Sequence, residues 1–185
     1  MAQKEFFGGA ITATLRLPDS GSLSILHDRR AIQSDLRQVP DTQEVFLYPD
    51  SSKSLILEVL ERVEAVGAED AARFHFDSIA HDNNAEQKEI LGIRIVPNDR
   101  GDNTPSPILL DGTQMVKKFN ATVADQVRIF LALYRVEDKN VDLLLAMNVP
   151  ISSIDGGSVQ DVTASQKEFE TAALSLQIVD FDLFV

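Results

Sequence analysis

Apolar and polar residues follow two different periods along this chain, and the breaks between them fall at stretches rich in Pro, Gly and Asp. Residues 6–17 alternate, with Ile11, Ala13 and Leu15 on one side and Thr12, Thr14 and Arg16 on the other, which predicts a half-buried strand. Residues 18–21 (PDSG) end it. Ser34 is placed to cap a short turn through Asp35, Leu36 and Arg37, and Pro40 forces the chain out of that turn. Residues 44–48 read as a strand closed by Pro49. From Ser51 or Ser52 the spacing changes. Leu55, Ile56, Val59, Leu60, Val63 and Val66 fall within an arc of about 140° at helical pitch, with Glu58, Glu61 and Glu64 opposite and Gly67 as the stop. This predicts an amphipathic helix. A second helix is expected from Ala68, with Glu69 and Asp70 at its positive end and Ala72, Phe76 and Ile79 facing inward.

Strand character resumes over residues 89–96, where Ile93 and Ile95 alternate about Arg94. Residues 97–107 (PNDRGDNTPSP) are expected by composition to form a mobile loop. Residues 108–117 are predicted to form a hairpin turning at Asp111-Gly112, a dipeptide that tight primed turns favour. The strongest strand pattern follows: Val127, Ile129, Leu131 and Leu133 alternate with Arg128, Phe130, Ala132 and Tyr134. Residues 142–149 return as its partner after a turn near Asp138. A last helix spans about residues 164–176 and carries Phe169, Ala173 and Leu176. Strands joined by hairpins rather than by repeated βα units argue an α+β fold, with a central, largely antiparallel β-sheet flanked by α-helices. Its expected core includes Val59, Val63, Phe76, Ile129, Leu131, Leu143 and Leu145. With 185 residues, positions 1–185 are expected to form a single domain.

Charge narrows the choice of partner. Acidic residues number 29 against 17 basic ones, for a net charge of −12. Such a field repels nucleic acid and anionic membranes and attracts a basic protein surface; read from charge alone, the acidity serves equally to keep the chain soluble. No apolar run approaches the roughly 18 residues of a membrane span. The N-terminal MAQKEFFGGA lacks a signal-peptide layout, so a cytosolic or nuclear protein is expected. There is no cysteine, hence no disulfide, thiolate ligand or cysteine nucleophile. His27, His75 and His81 lack metal-site spacing, and His75 is expected on a helix at the flank of the core. Neither a Walker pattern nor a GxSxG elbow occurs, and Gly8-Gly9 fits a strand bulge better than a phosphate loop. No catalytic residue, metal ligand or cofactor is therefore assigned.

The run VPDTQEVFLYPD (residues 39–50) holds the remaining chemistry. It sets Asp41 and Glu44 beside a proline turn at the mouth of a strand. As a general acid and base they would need a pocket that splits their pKa values. As structural residues, Asp41 caps the turn after Pro40 and Glu44 is a solvated residue at a strand start. As a recognition element, their spacing projects both carboxylates outward toward an Arg or Lys of a partner.

Several segments together resemble the Mog family of Ran guanine-nucleotide release factors: FFGGAI, SDLRQVPDTQEVF, SLILEVLERVEA and AARFHFDSIA. Beyond Ile90 the likeness continues as a pattern of strand lengths, a late hairpin (VDLLLAMNVP) and a closing helix. It covers most of the chain, and SDLRQVPDTQEVF is its most specific part. The resemblance implies an antiparallel sheet sandwiched by helices, a PsbP-like fold. It further implies binding to the small GTPase Ran, release of Ran's guanine nucleotide, and support of nuclear protein import in nucleus and cytoplasm. By the same resemblance, the acid pair of VPDTQE is the Ran-contacting element and falls on Asp41 and Glu44, with Asp35, Arg37 and Gln43 of the same run expected to flank the contact. Relatives often carry a further acid just before SDLR, where this chain has Ala31-Ile32-Gln33. The implied protein is a monomer that acts stoichiometrically on Ran and needs no cofactor. The alternative is a passive adaptor or small-ligand-binding α+β domain without release activity.

Overall fold

The computed structural model describes residues 1–16, 24–25, 41–49, 51–64, 67–117, 123–151 and 161–184. In chain order they form β1 (Ala2–Phe6), β2 (Ile11–Leu15), β3 (Ser24–Ile25), β4 (Gln43–Leu47), β5 (Ser54–Glu61), α1 (Ala68–Asp82), β6 (Gln87–Ile95), β7 (Ile108–Val116), β8 (Asp125–Val136), β9 (Val141–Pro150), α2 (Val162–Ser175) and β10 (Gln177–Ile178). Among the described residues the main sheet runs β3-β4-β5-β9-β8-β7-β6, and a small sheet runs β1-β2-β10. Neighbouring strands in both are antiparallel. This is the α+β arrangement that the hydrophobic pattern predicts.

The β8–β9 hairpin is the centre of the main sheet, and its sequence shows why. Ile129, Leu131 and Leu133 point to one face, where Ala71, Ala72 and Phe76 of α1 cover them. Phe130, Ala132 and Tyr134 point to the other, against Phe169, Ala172 and Ala173 of α2 and Phe6, Ile11 and Leu15 of the small sheet. A strand buried on both faces needs apolar residues at every position, and these two strands supply them. Asn140 turns the hairpin at φ 55°, a left-handed conformation that Asn tolerates better than most side chains. The Tyr134 hydroxyl donates to the Ala173 carbonyl at 2.5 Å and ties α2 to the sheet.

The segment expected as the first helix is a strand. β5 pairs with β4 along one edge and with β9 along the other. Leu55 and Leu57 are fully buried on the α2 side, while Glu58 and Leu60 lie on the α1 side. A strand covered from both faces carries a near-continuous apolar run that satisfies helical and strand periods alike. The two flanking ladders, with β-branched Ile56 and Val59, decide in favour of the strand. Gly67 accordingly ends no helix; it precedes α1 in an extended conformation. Of the expected core, Phe76, Ile129, Leu131, Leu143 and Leu145 are fully buried, whereas Val59 and Val63 are partly buried at its margin.

Three turns also differ from expectation. Phe7–Gly9 is not a strand bulge but a single tight turn with positive φ at Phe7, Gly8 and Gly9. Asp111-Gly112 does not turn a hairpin; it lies inside β7, with Gly112 opposite Ile90 on one side and Ile129 on the other. A Cβ on Gly112 would sit 2.7 Å from the Phe76 ring and 2.8 Å from the Glu89 carbonyl oxygen. Glycine is there so that α1 can press onto the sheet. Gly112→Ala should therefore destabilise the protein by about 1–3 kcal/mol, read as a shift of the chemical denaturation midpoint. Residues 97–107, finally, are tethered rather than mobile. Arg100 donates to the carbonyls of Leu174 and, at 2.7 Å, Leu176, where α2 ends, and at 2.9 Å to the Asp102 carboxylate. The Thr104 hydroxyl accepts the Ile178 N–H at 2.9 Å. A cation over the free carbonyls at a helix C-terminus is a favourable cap.

Candidate functional site

Asp41 and Thr42 form the turn that opens β4, and the Val59 N–H donates to the Thr42 carbonyl at 2.8 Å, extending the β4–β5 ladder to the turn. Strand alternation then fixes where each side chain goes. Glu44, Phe46 and Tyr48 point into the α2 side of the core, while Gln43, Val45 and Leu47 point to the other face and are half-buried. Asp41 is exposed. The expectation that both carboxylates project outward thus fails for Glu44, which is 8% exposed. The period of the strand, not the spacing of the acids, sets its direction.

Glu44 has an internal partner. Its Oε1 accepts the Phe7 N–H at 2.7 Å, across 37 residues of sequence. Phe7 is held at φ 48°, a costly conformation for a bulky side chain, and a carboxylate acceptor is among the stronger means of holding it. Two segments far apart in sequence, FFGGAI and VPDTQE, therefore meet in space. The carboxylate of the second clamps the strained turn of the first. Glu44→Ala should leave a half-buried N–H without its acceptor and destabilise by about 1–3 kcal/mol, measurable by urea unfolding. Asp35 and Arg37 lie outside the described residues. Gln43 sits opposite Glu58 in the ladder, beside the Asp41 turn.

An acid–base reading of Asp41 and Glu44 has no geometric support. One carboxylate is exposed and the other is buried against a backbone amide, and neither lines the grooves found beside α1 and α2. Among the described residues, no group of three or more His, Asp and Glu side chains is arranged to hold a metal ion.

A buried ionic network lies behind this edge. Asp142 at the start of β9 is fully buried, and its Oδ2 contacts His75 Nε2 at 2.8 Å and accepts the Val63 N–H at 3.1 Å. Its Oδ1 accepts from Arg135 Nε at 3.1 Å, and Arg135 also donates to the Val63 carbonyl at 2.5 Å. Burial alone would push the Asp142 carboxyl up, but His75, the Val63 amide and Arg135 together hold it below the usual carboxylate range. The network fastens the chain leaving β5 to β9 and α1. His75, expected at the flank of the core, is one of its members. Asp142 and Arg135 give no sequence signal, because a charged residue at a strand end reads as solvated.

Comparison with known proteins adds the family. The model for "Ran-interacting Mog1 protein" matches residues 4–150. A Ran guanine nucleotide release factor of Danio rerio is 31% identical over 191 residues, covering 98% of this chain and 98% of the relative. The Homo sapiens protein of the same description is 33% identical over 186 residues, covering 96% and 94%. Nuclear import protein mog1 of Schizosaccharomyces pombe is 33% identical over 170 residues, covering 82% and 89%. In fold, the chain superposes on the crystal structure of the Saccharomyces cerevisiae Ran-binding protein Mog1p with a TM-score of 0.73 at 22% identity, covering 100% of this chain and 98% of that one.

Proposed function

The chain belongs to the family of Ran-interacting Mog1 proteins, and from that premise we propose that it binds the small GTPase Ran through the acidic edge at Asp41 and promotes release of Ran's guanine nucleotide. The observation that carries this reading is the division of labour between the two acids. Glu44 is committed to the Phe7 turn, and Asp41 stands exposed at the strand mouth that Glu44 secures. Asp41 is then the docking carboxylate, Glu44 and Gln43 hold and flank it, and Asp35 and Arg37 extend the contact along the same run.

The mechanism is linkage. A partner that binds nucleotide-free Ran more tightly than the loaded form weakens nucleotide binding by the same factor. A GTPase holds its phosphates with a Lys and a magnesium ion, both cationic, and a carboxylate docked near that cradle competes for one or the other. No covalent bond is made or broken, so the protein acts stoichiometrically rather than as an enzyme. The same reading has it acting in nuclear protein import, in nucleus and cytoplasm. The test is to mix the protein with purified Ran carrying a fluorescent guanine nucleotide. Loss of the nucleotide that saturates near equimolar protein is expected. Binding without release would leave a passive adaptor, and no binding would overturn the reading.

A further inference from the structure

On the α1 side of the sheet, a groove of about 320 Å³ opens between β5 and the helix. Its walls include Leu60, Val63 and Ile79, and its acids are Glu58 and Glu61 from β5 and Asp82 at the last turn of α1. Phe74, 54% exposed, stands at its rim. Glu58 faces Gln43 in the ladder, so the groove borders the strand whose opening turn carries Asp41.

Of these acids Glu58 is half-buried, whereas Glu61 and Asp82 are exposed at the groove's edge. Burial pushes the Glu58 carboxyl up from its ordinary value, and Asp82 pushes in the same direction, while Gln43 and His75 oppose them. Asp82 also lies where the helix presents its negative end. The bases on adjoining elements are committed elsewhere: Arg135 and His75 to Asp142, Arg62 to Glu137, and Lys88 to Asp77. Arg73, on the exposed side of α1, does not line the groove. Among the described residues, then, Glu58, Glu61 and Asp82 form no ion pair. His75 also lines the groove but is bonded to Asp142, so among the described residues no Lys or Arg pairs with these acids beside their apolar walls. A long cationic side chain fits that description at both ends: its methylenes lie along Leu60, Val63 and Ile79, and its head group meets the carboxylates. Phe74 offers an aromatic face to the same charge.

We propose that this groove receives a lysine or arginine side chain of the GTPase that docks on the Asp41 edge, making a second point of contact on the same face. The inference rests on the Ran reading and names the part of the interface that reading leaves open. It also separates binding from folding. Removing an acid from an unpaired, like-charged site relieves repulsion, so a variant that binds less well should be at least as stable.

The experiment measures the affinity of purified nucleotide-free Ran for the wild type, Glu58→Gln with Asp82→Asn, Phe74→Ala, and Asp41→Lys, alongside each protein's thermal midpoint. The double variant should bind at least about tenfold more weakly with its midpoint unchanged or raised, and Phe74→Ala several-fold more weakly. Native affinity in the double variant, with binding lost in Asp41→Lys, overturns the groove and leaves the Ran reading standing. Weaker binding accompanied by a lowered midpoint also overturns it, by making the acids structural. If the wild type does not bind Ran, both fail together.

Discussion

Asp142→Ala should destabilise the protein by about 3–5 kcal/mol, the usual consequence of removing one member of a buried ionic network. The cost arises in what stays behind. Arg135 loses the carboxylate at 3.1 Å, His75 loses its partner at 2.8 Å, and the Val63 N–H loses its acceptor at 3.1 Å. Equilibrium unfolding in urea at neutral pH measures it. The pH dependence has a definite sign. The Asp142 carboxyl is held below its ordinary range in the folded state, so its contribution is fully present above the unfolded carboxylate pKa, about 4, and is lost as pH falls through the lower folded value. The part of the stability difference that comes from the Asp142 carboxylate should therefore shrink as pH falls below about 4. A variant as stable as the wild type would show that the network is dispensable.

Much of the fold is legible in the sequence where burial is one-sided or where an element is long. The β8–β9 hairpin, α1 and α2 all follow from their periodicity. The failures share a cause: contacts with segments distant in sequence. β5 reads as a helix because its apolar residues serve two faces of a sheet whose other strands lie elsewhere in the chain. Asp111-Gly112 reads as a turn because nothing local reveals that Phe76 needs the space over Gly112. The loop at 97–107 reads as mobile because its Arg and Thr find their partners more than 70 residues away, at the end of α2.

The candidate site divides in the same way. Resemblance singles out the acid pair of VPDTQE, but only the strand direction shows that its two members lie in different surroundings. Glu44 is inward and bonded to Phe7, whereas Asp41 is exposed. Helical periodicity sets Glu58, Glu61 and Glu64 on the side of a helix away from the core. In the sheet, Glu58 instead lies beside Gln43 and at the mouth of a groove.

The claim that Asp41 is the docking carboxylate is tested most directly by the affinity of Asp41→Lys for nucleotide-free Ran, set beside its thermal midpoint. Asp41 is exposed in a turn, so the substitution has no packing to disturb and the midpoint should stay within about a degree of the wild type. At the interface the same change replaces an attractive charge with a repulsive one. Loss of one partner of a docked charge pair costs roughly 2–5 kcal/mol, which corresponds to a weakening of about 30-fold or more. Ran should therefore bind the variant at least about 30-fold more weakly, chiefly through faster dissociation, while the fold stays intact. A folded Asp41→Lys protein that binds Ran with native affinity would contradict the assignment.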